Sequence, residues 1–358
     1  MDLEELRKRI DAIDQGILRL LNDRAEVVKE VARVKRETNK EYHDPTREEE
    51  ILQRLQRQNP GNFPSMAIRP VFREIISACL SLEAPIRIAY LGPEATFTHM
   101  AVMKKFGSSA GLIPAKSVEA VFSEVERGRA TYGVVPVENS SEGVVSHTLD
   151  MFVSSDLKIC AEVMLEVHHN LLSRGTGLDE IEKVYSHPQA VAQSRAWLRD
   201  NLPNRQVIEV SSTARAAEMA CQDATAAAIA SELAANIYDL NIVRSRIEDM
   251  VHNYTRFLVI GKKPSTRTGR DKTSVIFSIK DRVGALYHML KPFAKKGINL
   301  TKIESRPTKK QPWEYIFFVD LVGHEDDEKV RGALADLKDQ CIFLKVLGSY
   351  PIAETRDE

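Results

Sequence analysis

The stretch ILRLLNDRAEVVKEVARVK, residues 17–35, places an arginine where every neighbouring turn places an aliphatic side chain. Apolar residues recur from Leu3 at alternating steps of three and four, through Leu6, Ile10, Ile13, Ile17 and Leu20, and resume at Val27, Val31 and Val34. Arg24 fills the missing slot. No proline precedes Pro45, and Glu, Asp, Lys and Arg occupy the other faces. The pattern predicts one long amphipathic helix whose seam needs a partner helix. A guanidinium in that seam needs an anion, because a buried charge is tolerated only when paired. Lys35 follows Arg24 by eleven residues, nearly an integral number of turns, so the two share a side and converge from about 16 Å. Arg7, seventeen residues before Arg24, is rotated by about 100° and does not easily serve the same pocket from its own chain, though a partner chain could supply it. On spacing alone two readings stand side by side: an anion site, and a polar residue that fixes register in a helical dimer.

The chain has 358 residues, long for one core, so two or three domains are expected. A formal net charge of -1 leaves no electrostatic footprint for nucleic acid or an acidic membrane, and neither is expected as a partner. Cys79, Cys160, Cys221 and Cys341 are scattered without CxxC or His-rich spacing, which argues against zinc and against a disulfide framework. No metal or cofactor is expected, and a reducing, cytoplasmic setting fits. The N-terminus is charged from residue 2 and no apolar run reaches spanning length, so neither a signal peptide nor a membrane segment is expected.

Residues 1–84 are helical in pattern throughout: the long helix, a second from Pro45 to Gln58 and, after NPGNFP, a third from Met66 to Leu82. From Ile86 strands and helices alternate to about residue 262, which predicts a mostly parallel, helix-covered sheet closed by RFLVIG, residues 256–261. KPSTRTGRDK reads as a polar linker over 263–272, and residues 273–350 carry the order βαββαβ. Three domains follow: all-α, α/β and α+β.

LRKRIDAIDQGILRLLNDRAEVVKEVARVK, residues 6–35, followed by HDPTREEEIL, resembles the all-helical chorismate mutases over essentially the whole first domain. The resemblance implies a dimer with long shared helices that binds chorismate. It places Arg7 of the other subunit, Arg24, Lys35, Asp44, Arg47 and Glu48 around the substrate. The family's late serine position falls on Cys79 and its late glutamine on Glu83. Glu83 donates to the ether oxygen only when protonated, which requires a pKa raised by burial or by Glu48. The rearrangement is pericyclic, so a cationic cage suffices, with Arg24, Lys35 and Glu83 as its catalytic members.

In the second domain Thr96 and Thr98, Ser140 and Ser141, Ser186, and Ser211 to Thr213 occupy strand-to-helix turns. Each alone reads as an N-cap. Four in one sheet predict a carboxylate-binding cleft. His187, in SHPQ, also reads as a cap before Pro at N1. YLGPEATFTH, GVVPVENSSEGVVSHTLD, VYSHPQA and NYTRFLVIG resemble prephenate dehydratase, with Ala95 where that family usually has glycine. The resemblance implies two lobes around a cleft, as in periplasmic solute binders. It assigns the hydrogen-bond donor for the departing hydroxyl to Thr255, pocket walls to Arg256 and Phe257, and the cleft to Thr96, Glu138, Asn139, Ser186, His187 and Thr213.

DRVGALYHML and LTKIESRP resemble an ACT regulatory domain. The resemblance implies phenylalanine bound between paired tails by Gly284, Ala285, Leu286, Asn299, Glu304, Ser305, Arg306 and Pro307, with Glu304 and Arg306 setting interface geometry. The combined expectation is a homo-oligomeric enzyme of phenylalanine biosynthesis, acting on chorismate and then prephenate, under feedback inhibition by phenylalanine. Two rivals stay open: arogenate as the preferred dehydratase substrate, and a solute-binding sensor without chemistry.

Overall fold

The structure, a computed structural model, describes residues 2–38, 45–83, 86–141, 143–250, 252–279, 283–307 and 315–353, with the side chains of Thr46 and Glu83 left out. The chain divides into two compact units, Met1–Arg87 with Lys105–Gly111, and Ile88–Lys104 with Leu112–Glu358. No helix among the described residues is long and apolar enough to cross a membrane.

The first unit holds α1 (Leu3–Glu37), α2 (Pro45–Arg57) and α3 (Ser65–Glu83). Asp2 caps α1 by accepting the Glu4 N–H, Glu4 and Glu5 sit in its first turn, and Lys35 and Arg36 in its last. These charges complement the helix dipole at both ends. Ala32, Leu52, Ile68, Ile76 and Cys79 are buried among the three helices. The predicted seam of α1 is not: Leu3, Leu6, Ile10, Ile13, Ile17, Leu20, Val27, Val31 and Val34 are all exposed in the single chain. Segment Lys105–Gly111 docks on α3, where the Ser108 N–H and hydroxyl donate to Glu74 and the Ser109 N–H donates to Ser77 Oγ. Gly107, at φ 74°, has room for no Cβ, which would lie 2.6 Å from that of Ser77.

The second unit is built on β1 (Arg87–Leu91), β2 (Gly111–Ala115), β3 (Tyr132–Asn139), β4 (Gly143–Val144), β5 (Lys158–Glu166), β6 (Asn170–Ser173), β7 (Lys183–Ser186), β8 (Gln206–Glu209), β9 (Ala226–Ala230), β10 (Asn241–Arg244) and β11 (Tyr254–Gly261). One mostly parallel sheet was the expectation; there are two mixed sheets, ordered β2-β1-β3-β11-β5 with β4 on β3, and β10-β6-β9-β7-β8. Strand pairs β1/β3, β7/β8 and β7/β9 are parallel, whereas β11 runs antiparallel to β3 and β5, and β6 to β9 and β10. The reason is that the chain crosses between the sheets twice, from β5 to β6 and from β10 back to β11. The crossovers are tied together by Val167 N–H to Asn253 O, 2.7 Å, and Ile247 N–H to His169 O, 2.8 Å. Helices α4 (Phe97–Phe106), α5 (Val118–Glu126), α6 (Ser146–Ser154), α7 (Pro188–Gln193), α8 (Arg195–Asn201), α9 (Thr213–Ala220) and α10 (Glu232–Tyr238) fill the connections. Alanines of α9 and the fully buried β9 let helix and sheet approach closely.

The tail forms β12 (Asp271–Ile279), α11 (Ala285–Lys295), β13 (Leu300–Pro307), β14 (Tyr315–Val322), α12 (Glu328–Lys338) and β15 (Phe343–Pro351), an antiparallel sheet ordered β13-β14-β12-β15. Val275, Phe277, Phe317, Val319 and Leu321 pack under its helices. Its other face, with Ile276, Phe318, Leu347 and Tyr350, shares one core with Val135, Leu149, Phe152 and Leu258 of the first sheet and its helices. The segment read as a linker is pinned: the Ser265 hydroxyl donates to Cys160 O at 2.5 Å, and Asp271 accepts from Thr268 and the Gly269 N–H.

Candidate functional site

Strands β3 and β11 lie side by side with Asn139 opposite Thr255 and Glu138 opposite Arg256. Side chains alternate across a strand, so each pair faces a different side of the sheet. On one side Asn139 Nδ2 donates to Thr255 Oγ1 at 2.8 Å and to Asn253 Oδ1 at 2.9 Å. Asn253 Nδ2 donates to Gln193 Oε1 at 2.9 Å, and His169 Nε2 lies 2.7 Å from the same oxygen. All of Asn139, Asn253, Thr255 and His169 are buried. Burial pushes the His169 imidazole below its ordinary pKa, which Gln193 and Glu248 only partly oppose. His169, Gln193 and Asn253 were not singled out from the sequence, although Asn253 opens the NYTRFLVIG motif.

The hydroxyl-rich turns do not share one sheet. Thr96 and Ser140–Ser141 follow strands of the first sheet, whereas Ser186 ends β7 and Ser212–Thr213 follow β8 of the second. Thr96 accepts the His99 N–H at the start of α4, and Ser212 caps α9 immediately before Thr213. Ser140 instead accepts the Tyr254 N–H and donates to His252 O, pinning the returning crossover to β3. Ser186 and His187 open α7, the short helix that ends in Gln193. His187 Nδ1 accepts the Gln189 N–H, and burial lowers its pKa against the opposing pull of Glu209, which favours the neutral ring.

Arg256 and Glu138 depart from their expected place beside Thr255, because alternation sends them to the opposite side. Arg256 donates to Glu162 at 2.8 Å, to Asp320 of β14 at 2.5 Å and to Tyr350 Oη of β15 at 3.0 Å. Lys272 adds a second cation on Glu162, and Ser274 donates to Asp320. Burial opposes the charge of Arg256, but Tyr350, Asp320 and Glu162 outweigh it and hold the guanidinium protonated. Glu138 accepts from Lys302 of β13 at 2.7 Å. Phe257 is 1 % exposed, a packed residue of β11. Breaking such a buried ion pair leaves an uncompensated charge, worth about 3 kcal/mol. Asp320→Asn is therefore expected to lower the melting temperature of the second unit by roughly 5 to 10 °C, read by calorimetry; an unchanged melting temperature would remove the pair from the stability of this layer.

In the helical unit Arg24 Nη1 is buried with no hydrogen-bond partner. Arg7 is exposed, Lys35 and Glu48 are half-buried, Arg47 pairs with Glu50 at 3.1 Å, and Cys79 is buried on α3. Asp44 and the Glu83 side chain lie outside the described residues, and with them the expected protonated contact of Glu83. Arg69 grips both oxygens of Glu49 at 2.6 Å. Burial pushes the Glu49 carboxyl up, yet Arg69 and Lys105 hold it below its ordinary value.

In the tail, Gly284 caps α11 at φ 77° with no clash waiting for a Cβ, Ala285 is buried, and Leu286 and Asn299 are exposed. The β13 residues divide by face. Lys302, Glu304 and Arg306 pair with Asp320, Phe318 and Ile316, the side turned toward the first sheet, and Arg306 bonds Ser146 O and Asp150. Ser305 pairs with Phe317, on the helix side with Gly284 to Leu286, and Pro307 ends the strand.

Three family descriptions match the chain in succession: chorismate mutase type II over residues 6–84, prephenate dehydratase over 88–265 and ACT domain over 273–339. A bifunctional chorismate mutase/prephenate dehydratase of Aquifex aeolicus is 54% identical over 356 residues, 98% of each chain. The Pseudomonas aeruginosa protein of the same description is 44% identical over 357 residues, again 98% of each. Among solved structures, the prephenate dehydratase of Arthrobacter aurescens in complex with L-Phe aligns with a TM-score of 0.69 at 36% identity, covering 75% of this chain and 90% of that one.

Proposed function

This chain belongs to the family of bifunctional chorismate mutase/prephenate dehydratases with an ACT domain, and we propose how its residues divide the two reactions. It rearranges chorismate to prephenate and converts prephenate to phenylpyruvate. The rearrangement falls to the helical unit: Arg24, Lys35, Arg47 and Glu48 enclose chorismate together with Arg7 of a second copy. Support comes from the unpartnered Arg24 guanidinium set in an exposed apolar stripe. A 35-residue helix extends about 50 Å, and an apolar face of that length marks an interface. A second α1 supplies both the missing apolar cover and the missing cation.

Dehydration falls to Thr255. In prephenate the bond from ring carbon to carboxylate breaks, its electron pair enters the ring, and the hydroxyl on the far ring carbon departs, giving CO2, water once a proton is added, and phenylpyruvate. The observation that carries the assignment is the Asn139 contact. Asn139 donates to Thr255 Oγ1, so the threonine oxygen is already an acceptor and its own hydrogen is left for the departing hydroxyl. A threonine hydroxyl is a weak acid, so it acts as a hydrogen-bond donor to the developing charge. Turnover of prephenate and of arogenate, measured side by side, tests the substrate; a strong preference for arogenate would transfer the reading to that amino acid.

Control falls to the tail. Phenylalanine at Gly284 to Leu286 and Ser305 favours one arrangement of paired tails, and the core shared by the two sheets carries the bias to β11. The L-Phe complex of the Arthrobacter aurescens relative supports this ligand. Deleting the tail would strip Ile276, Phe318 and Tyr350 from that core, so a point substitution is the cleaner probe. Gly284→Val, which blocks the α11 turn at positive φ, is expected to weaken inhibition by L-phenylalanine at least about tenfold while the uninhibited dehydration rate stays within about twofold. Undiminished inhibition in that variant would place phenylalanine elsewhere.

A further inference from the structure

The hydrogen bonds around Thr255 form one chain whose direction is fixed from its ends. A backbone N–H can only donate, and the Ser141 N–H meets Asn139 at 2.9 Å, so the facing atom is the Asn139 oxygen. The Asn139 NH2 group must then be the one that reaches Thr255 Oγ1 and Asn253. Asn253 consequently presents its oxygen to Asn139 and its NH2 to Gln193, and Gln193 presents its oxygen to both Asn253 and His169. An oxygen at 2.7 Å from His169 Nε2 demands a hydrogen on that nitrogen. The opposite tautomer would set a ring lone pair against the Gln193 oxygen. Gln193 would then flip, its NH2 would face that of Asn253, and a flipped Asn253 would displace Asn139 from Thr255.

We propose that His169 is a positioning residue for dehydration: its Nε2–H fixes the orientation of Gln193 and Asn253 and so reserves the Thr255 hydrogen for the leaving hydroxyl. The proposal rests on Thr255 as donor. His169 is 3 % exposed, its Nδ1 has no partner, and its ring stands edge-on to Phe97 at 5.6 Å. Nothing on the Nδ1 side therefore competes for the proton. The ionisable neighbours are Glu248, whose carboxylate accepts the His169 backbone N–H and contacts His168, and Glu166 beside His168. They hold the crossover in place. His169 lies just before β6 and Asn253 just before β11, so the chain bridges both crossovers between the sheets.

Amide side chains separate this role from acid catalysis. Glutamine places its NH2 near the Nε2 position of histidine, whereas asparagine reaches only the Nδ1 position. His169→Gln is expected to keep at least about a third of the wild-type kcat for prephenate, while His169→Asn and His169→Phe lose about ten- to a hundredfold in kcat with KM within about threefold, the scale of one buried donor lost. Melting of the second unit, followed by calorimetry in the same full-length preparations, reports folding. A glutamine variant as slow as the asparagine variant would show that His169 acts by titrating or by shape, and an asparagine variant as fast as wild type would show that it does not matter; either overturns the proposal. Histidine-selective 15N spectra of the full chain, with the His169 signals identified by their loss in His169→Gln, give an answer independent of turnover. The neutral ring should show a protonated Nε2 and a bare Nδ1, and the reverse pattern overturns the assignment. Failure of the Thr255 reading would appear separately, as normal dehydration by a Thr255 variant with the tautomer unchanged.

Discussion

Thr255→Ala is expected to slow prephenate dehydration at least about a hundredfold, the range for one positioned donor in a water-poor site, while leaving chorismate rearrangement nearly unchanged and lowering the melting temperature by only a few degrees. The contrast follows from its place in β11. Thr255 makes its side-chain bond to Asn139, which is bonded in turn to Asn253, so removing the hydroxyl frees one Asn139 N–H and leaves the backbone ladder to β3 and β5 intact. That loss costs about 1 to 3 kcal/mol of stability. Transition-state binding loses separately, because the hydroxyl meets charge only as the C–O bond breaks. Thr255→Ser keeps the hydroxyl and should retain part of the rate, reduced by the freer serine rotamer. Normal turnover of prephenate by the alanine variant would remove Thr255 from the chemistry and leave Asn139 as the group to examine.

How far the sequence reached depended on the range of the interaction. The α1 seam and the gap at Arg24 were legible because helical periodicity is local. The βαββαβ order of the tail was legible for the same reason. Ala95 was legible as an oddity, and it does occupy the left-handed region at φ 66°. Such a conformation costs about 1 to 2 kcal/mol for a residue with a Cβ, and Ala95 is held there by His99 Nδ1 on its N–H and the Ser231 hydroxyl on its carbonyl. The side of the sheet on which a residue acts was not legible. The TRF run announces that Thr255 and Arg256 point opposite ways, but nothing local says that the tail covers one side, so Arg256 was expected in the cleft and is found bonded to Asp320 and Tyr350. His169, Gln193 and Asn253 are distant in sequence and meet because two crossovers run together. A single sequence offers no period from which to read such a meeting.

Arg24→Ala is expected to lower chorismate rearrangement by tens to thousands of fold, as loss of about 2 to 5 kcal/mol from one cation–carboxylate contact implies, with dehydration of added prephenate unaffected. Folding should not suffer, since Arg24 Nη1 has no bond to lose in the single chain and alanine favours a helix. Relief of an unpaired guanidinium in the seam should, if anything, stabilise the helical unit. The same geometry predicts a second, sharper result. Arg7 and Arg24 lie on different sides of α1, so a site that uses both draws them from two chains. Mixing Arg7→Ala with Arg24→Ala protein, after exchange of subunits, creates mixed dimers in which one site joins an intact Arg24 to an intact Arg7. About a quarter of all sites should then be whole, and rearrangement should return to about that fraction of wild type from two nearly inactive parents. No recovery after demonstrated exchange would confine each site to one chain, and Arg7 would then have to be replaced in the cage by a cation of the same subunit.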